Sequence, residues 1–339
     1  MSKARNISAL STVEVGATAD QTKADIDSLG INGVNKNWII NGDFQVSQRG
    51  AFTSATALTT SSVFHLDRFK SKHNNISGTV THKIAQTVDG KLTNTMLLTA
   101  TAGSNGRVES VQRIEAIQPF VSQTITFSAW VKSNSASSRI IIHQNGANIQ
   151  TSSNQHTGGG AFELLKGTVT CAANSGDIYL YAGIQAAGTG NVAIANGHYF
   201  EMAFVQVEHG SVATNFEYRS YGAELALCQR YFERRSYTSS AVVTIGTAHH
   251  ATHCMAGMNF MEKRAVPSIT MPACSAAGFS FLTVTADYPS NHGTMVVAGS
   301  TISKNNFRFG SINGAGHTAG DATWVHSGGT NHIDIDAEF

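Results

Sequence analysis

The residues best able to do chemistry in this sequence are its 14 histidines, and several of them gather in two places. The first is His249-His250-Ala251-Thr252-His253-Cys254. Histidine and cysteine this close together hold zinc when a loop or helix converges them. In an extended strand, 249, 251 and 253 share a face while 250 falls opposite. No second pair stands at structural-site spacing, so polar loop side chains with no resident metal are expected here. A threefold axis, bringing copies of this stretch together, is the arrangement in which they would ligate a metal.

The second place is the C-terminal stretch, where His317, Asp321, Trp324, His326, Asn331 and His332 lie within 16 residues. Sugar binding needs an aromatic face against C–H surfaces and polar groups that hydrogen-bond hydroxyls. Trp324, in a polar and Gly-rich setting, is the best single platform. The alternative is that Trp324 belongs to the core, since Val325 follows it. Residues 145–160 are a second polar, Gly-containing region that could present the same chemistry.

Catalysis has little support. Asp25 and Asp27 lie in a segment with almost no large side chains, and Asp334 and Asp336 alternate with Ile333 and Ile335 as one polar strand face. Distant acids such as Glu163 and Glu201 could meet in a fold as a glycosidase pair does. There is no Gly-x-Ser-x-Gly elbow, no His-Glu-x-x-His and no Walker loop. Gly158-Gly159-Gly160 fits a hairpin loop better than a phosphate cradle. The expectation is a protein that is not an enzyme and uses no cofactor.

Composition narrows the class. Of 339 residues only 13% are charged, where about 25% is usual. Gly, Ser, Thr and Asn number 32, 34, 34 and 23, which makes turn-rich β structure more natural than long helices. A net charge of +1 argues against a nucleic-acid partner, which calls for a basic face. No apolar run reaches the length of a membrane span, and no secretory h-region is visible at the start. Four cysteines, widely spaced, do not suggest a disulfide framework. Such low charge suits β surfaces covered by partner chains.

The elements that must position these residues are mostly strands. Residues 1–36 lack the material for a core; a short helix over 21–29, capped by Asp20, is expected there. In 124–132, Ile125, Phe127, Ala129 and Val131 fall on one face, and Trp130 falls on the other with Thr124, Thr126, Ser128 and Lys132. Further strands are predicted over 161–171, 177–184 and 191–208. This density of short strands predicts a mainly β chain, with an antiparallel jelly-roll sandwich over 37–221. Apolar positions 225, 228, 231 and 232 then have helical spacing, predicting a linking helix over 222–235. Residues 236–339 return to strands as a smaller C-terminal β domain.

Five segments in order carry a resemblance: Asn41-Gly-Asp-Phe-Gln-Val-Ser-Gln-Arg-Gly50, Leu66-Asp-Arg-Phe-Lys70, Phe127-Ser-Ala-Trp-Val-Lys132, Phe200-Glu-Met-Ala-Phe-Val-Gln-Val-Glu-His-Gly210 and Phe216–Phe232. Together they resemble tailed-bacteriophage tail-fibre and receptor-binding proteins. The end, Ile333-Asp-Ile-Asp-Ala-Glu-Phe339, is similar to C-termini of that family. The resemblance implies a sandwich akin to carbohydrate-binding modules, and a homotrimer.

The expected function is then a virion fibre protein, on tail or capsid, made in the host cytoplasm and binding host surface polysaccharide. Residues 1–36 would anchor it to a virion attachment protein, and 236–339 would be the distal tip. The apolar stripe Leu225, Cys228, Tyr231 and Phe232 would lie near the threefold axis. A purely structural fibre and a polysaccharide depolymerase are the alternatives.

Overall fold

The computed structural model describes residues 36–59, 62–115, 118–173, 176–273, 275, 277–283, 294–297, 301–312 and 318–339. The anchoring segment expected over 1–36 lies outside these residues except for Lys36. The described chain is mainly β, with one α-helix.

Two antiparallel sheets form the first half. One is ordered Thr56–Ala57, Gly78–Val88, Lys91–Ala100, Tyr199–His209, Thr124–Ser133, Phe162–Thr170. The other is ordered Val63–Leu66, Phe69–Asn74, Ser104–Ile114, Ile178–Ile184, Ser138–Gln144, Ile149–Ser152, with Val192–Ile194 also on Ser104–Ile114. Their facing sides share one core, which includes Phe69, Val108, Phe127, Ile140, Leu180 and Phe200. The period-two pattern of 124–132 sets the faces as expected. Phe127 is fully buried in this core, and Trp130 points away from it. Trp130 packs with Phe162, Phe204 and Phe216 on the outer side of its sheet rather than under the helix. The strand expected over 191–208 is two, because the turn at Asn196-Gly197 (φ +81° at the glycine) separates Val192–Ile194 from Tyr199–His209.

The helix is Tyr221–Gln229, capped by Ser220, whose hydroxyl accepts from the Ala223 N–H. It is shorter than the expected 222–235. Phe232–Tyr237 is a strand that pairs Phe232 to Asp336 and Tyr237 to Asn331. The backbone bonds of this ladder override the helical spacing of Tyr231 and Phe232. The stripe expected at a threefold axis is also corrected at three of its four residues, Leu225 being half-buried. Cys228, Tyr231 and Phe232 are at most 2% exposed within one chain, so they are not a surface available to sister copies.

Beyond the helix, Phe232–Tyr237, Asn331–Asp336 and Ser268–Thr270 make a three-stranded sheet. A second sheet runs Phe279–Thr283, Ala322–Ser327, Val242–His250, His253–Asn259, Asn306–Ile312, Thr294–Val297. Phe279, Phe281, Phe307, Phe309, Val325 and Ile335 centre its core.

The two halves meet around the first quoted segment. Asn41 adopts φ +62°, and its side chain bonds Val46 N, Val46 O and Asp67 O at 2.8–3.1 Å. Gly42 follows because a Cβ there would lie 2.2 Å from the Val205 carbonyl oxygen. Glu224 on the helix accepts from Asn41 N–H and is paired with Arg219 at 3.2 Å. Asp43 sits beside this cluster with Oδ1 enclosed and unpaired. Burial, then the Glu224 charge, raises its carboxyl pKa to about 6. A pKa raised on folding contributes stability below the ordinary carboxylate value, and that contribution is lost as pH rises through about 6. Asp43→Asn is therefore expected to stabilise the protein by about 2 kcal/mol at pH 7.5 and by nothing below about pH 4. Urea unfolding of both proteins at the two pH values checks this.

Candidate functional site

The two outward faces of the sandwich differ. On the first sheet, Phe204, Phe216 and Tyr218 stack within 5.1–5.6 Å of one another, so the segment after Tyr199–His209 lies back over that face. The outward face of the second sheet keeps a set of rings half-exposed. Leu180 points into the core, so Tyr179 and Tyr181 must point out. Across the ladder, Tyr179 is paired with His143 on one side and Arg113 on the other. Tyr181 is paired with Ile141 and Val111.

The three rings form a nearly equilateral triangle. Centroids lie 6.1 Å apart for Tyr179–Tyr181, 6.3 Å for His143–Tyr179 and 6.2 Å for His143–Tyr181, with planes 37–40° apart. That tilt makes a shallow apolar cradle instead of one flat stack. Polar groups rim it. Tyr179 donates to Asp177 Oδ2 at 3.2 Å, and Arg113 pairs with Asp177 Oδ1 at 2.6 Å. Gln150, opposite His143 on Ile149–Ser152, is exposed. The turn 186–190, closed by Ala186 N–H donating to Gly190 O at 2.8 Å, brings Gly188 beside the Gln150 side chain. It walls one end of the face.

Electrostatics keeps the cradle rings neutral. Burial raises both tyrosine pKa values; the Glu109 charge adds to the effect on Tyr181, whereas Arg113 partly offsets it at Tyr179. Burial lowers the His143 pKa, and its Nε2 is enclosed without a partner. Neutral rings with phenolic O–H groups suit C–H stacking and hydrogen bonding to hydroxyls.

The residues expected from sequence lie elsewhere. Trp324 and His326 sit on Ala322–Ser327 with Val325 buried between them, so Trp324 is on the outward face and not in the core. Its cross-strand partners are Ile245, 74% exposed, and Leu282, so aliphatic groups surround it. Asp321 closes the turn before this strand, accepting from Ala248 N–H with its backbone carbonyl. Asn331 spends its amide on Ala277 O and Ser327 Oγ at 2.9 and 3.0 Å. Asn331 and His332 belong to the three-stranded sheet, not to the sheet of Trp324. His317 lies outside the described residues. The structure thus joins Trp324 to His326 and separates Asn331 and His332 from them.

At the histidine hairpin, Ala251 and Thr252 form the turn and His250 pairs with His253. The 250 ring thereby meets the 249 and 253 rings, at 4.4 and 5.6 Å between centroids. They border a cleft of about 550 Å³ with Arg308 and Phe309. Among the described residues no group of three or more His, Cys, Asp or Glu side chains is placed to hold a metal ion. Glu201 is held by Lys83 and Thr95, and Glu163 by Thr157, so these two acids are engaged separately.

The tyrosine pair was legible as Tyr179-Leu180-Tyr181, an aromatic on every second position of a predicted strand. The pattern alone does not say which face meets solvent. That depends on Ser138–Gln144 and Ser104–Ile114 pairing on either side.

No known family model matches the sequence, and no curated protein matches it. Solved structures similar to parts of the chain include three of interest. The enzymatically active domain of bacteriophage CBA120 tailspike protein 4 matches at 11% identity and TM-score 0.34, over 51% of this chain and 21% of that one. A CBM4 module matches at 12% and 0.29, over 50% and 98%. The CBM22-1–CBM22-2 tandem of Paenibacillus barcinonensis Xyn10C matches at 8% and 0.28, over 85% and 97%. The chain spans only about a fifth of the tailspike chain it matches. At such scores these are likenesses of partial β architecture and no more.

Proposed function

We propose that this protein is a glycan-binding fibre protein, and that it holds sugar on the outward face of the second sheet across Tyr179, Tyr181 and His143. The observation that carries this reading is the tilted ring triangle, half-exposed and rimmed by Arg113, Asp177 and Gln150. The stacking rings supply apolar contact, and the rim supplies hydroxyl-directed hydrogen bonds. The cradle is shallow, so single-site affinity is weak. A homotrimer on a virion, as the tail-fibre resemblance implies, multiplies weak sites by roughly 10²–10⁴. The apolar outward patch of Val242, Ile245 and Trp324 suits contact between sister copies better than sugar recognition, since Val242 and Ile245 are 59% and 74% exposed.

Affinity electrophoresis of the intact chain through gels containing soluble polysaccharides tests the reading. Retardation by at least one polymer is expected, with no new reducing ends released. Release of reducing ends would make the protein a depolymerase. Migration unchanged in every gel, with wild-type adsorption of fibre-bearing particles after Tyr181→Ala, leaves a purely structural fibre.

A further inference from the structure

Next to Tyr181 the same face carries a buried cation with no ion pair among the described residues. We infer that the ligand of this face is an acidic glycan, and that an anionic sugar substituent is bound by Arg139 beside Gln185. This rests on the tyrosine-cradle reading and adds the ligand's charge to it.

Arg139 lies in Ser138–Gln144 directly before Ile140, which with Ile142 points into the core, so by alternation it shares the outward face of Ile141 and His143. It is 8% exposed. The comparably buried Arg68 is paired with Glu338, but Arg139 has no ion pair among the described residues. Its Nε is enclosed without a hydrogen-bond partner. Burial alone pulls its pKa down, with no carboxylate offsetting the effect. A guanidinium held this way is stabilised by any anion that reaches it.

A second side chain points to the same place. Gln185 is fully buried, and neither its amide oxygen nor its nitrogen has a partner. It is the next outward position after Gly183, which is paired with Arg139. No side chain can occupy that position, because a Cβ on Gly183 would lie 2.1 Å from the Val108 carbonyl oxygen. Backbone of Ser104–Ile114 fills that position, so in the row Glu109–Gly183–Arg139 no side chain stands between Glu109 and Arg139, and Tyr181 and Gln185 flank the row along the strand. Glu109, at the far side, is neutralised by Lys72 at 3.3 Å and Arg107 at 3.1 Å. Glu109 is thus engaged by Lys72 and Arg107, and Arg139, two strands away from it, has no ion pair among the described residues. A sugar stacked on Tyr181 would place a substituent on the Gly183 side of the ring, toward the Arg139 guanidinium and the Gln185 amide, both of which can donate to it.

The experiment is titration calorimetry of the intact protein with matched polymers: polygalacturonate against its carboxyl-reduced form, and dextran sulfate against dextran. The acidic member of at least one pair is expected to bind at least tenfold more tightly, and which pair shows it separates carboxylate from sulfate. Arg139→Gln is expected to abolish that difference while leaving the neutral polymer's affinity unchanged. Arg139→Lys, which keeps the charge, is expected to retain part of it and controls for misfolding. Equal binding of both members of each pair, or an Arg139→Gln protein that still discriminates, overturns the inference. In either of those cases, if neutral polymers bind and Tyr181→Ala removes their binding, the cradle stands and only the anion site falls. If no polymer binds, both fall.

Discussion

Arg68→Ala is expected to destabilise the protein by about 3–5 kcal/mol at pH 7.5, the range for removing one partner of a buried ion pair. Arg68 is 2% exposed and lies against Glu338, which is 3% exposed. The guanidinium also donates to Arg113 O at 2.7 Å and covers the Tyr231 ring at 3.4 Å. Its loss leaves Glu338 with Arg49 at 3.8 Å as its remaining ion pair among the described residues. Burial already holds the Glu338 pKa above the ordinary carboxylate range, with Arg68 the chief influence pulling it down. Without Arg68 it rises further. A pKa higher in the folded state means that folding takes up protons, so stability falls as pH rises through that value. The variant's deficit is therefore largest at neutral pH and shrinks toward pH 4, where Glu338 is protonated. Urea midpoints at pH 7.5 and 4.5 read the difference. An equal deficit at both would mean that lost packing on Tyr231, not charge, is the cause.

The same junction explains why some of the sequence was informative. Asn41–Gly50, Leu66–Lys70, Phe216–Phe232 and the C-terminal residues are far apart in the chain, yet they meet there. Gln48 bonds Asp67 at 2.6 and 2.7 Å, Arg49 lies 3.5 Å over Phe232, and Arg113 and Arg264 lie 3.9 and 3.5 Å from the Phe339 ring. These are polar and aromatic residues whose identity is fixed by a partner, so they make recognisable motifs. The other two quoted segments are paired strands, Val207 standing opposite Phe127. Strand faces followed directly from period two, as at Phe127 and Trp130.

What sequence did not give was long-range pairing. The helix was expected six residues too far because Tyr231 and Phe232 satisfy helical spacing, while the competing partner Asn331–Asp336 is about 100 residues away. For the same reason Cys228, Tyr231 and Phe232 were assigned to sister chains when their own chain covers them. The site suffered likewise. Trp324 drew notice as the lone large aromatic in a polar stretch, whereas Tyr179 and Tyr181 looked like ordinary strand residues. Only the ladder sets His143 beside them.

That contrast defines the functional prediction with the largest expected effect. Each tyrosine of the cradle presents one half-buried ring to ligand, and aromatic residues at the centre of a contact commonly contribute about 2 kcal/mol or more when truncated. The double variant Tyr179→Ala/Tyr181→Ala is expected to lose roughly 10²–10³-fold in glycan affinity. The rings lie 6.1 Å apart and support one another, so the double loss need not equal the sum of the single ones. Both face outward, away from the core around Leu180, so the fold should survive. A thermal melt of the double variant checks that directly. Tyr181→Phe keeps the ring and removes only its hydroxyl, so a loss of about tenfold or less is expected from it. Trp324→Ala, on a different sheet and flanked by Ile245 and Leu282, is expected to bind isolated sugar chains as wild type does. Calorimetry with one retained polysaccharide ranks the four proteins. The opposite ranking, with Trp324→Ala losing affinity and the folded double variant unchanged, would move the site to the C-terminal sheet. There the aromatic ring, His326 and the exposed Ile245 would have to carry recognition without the rim of charged groups that the cradle has.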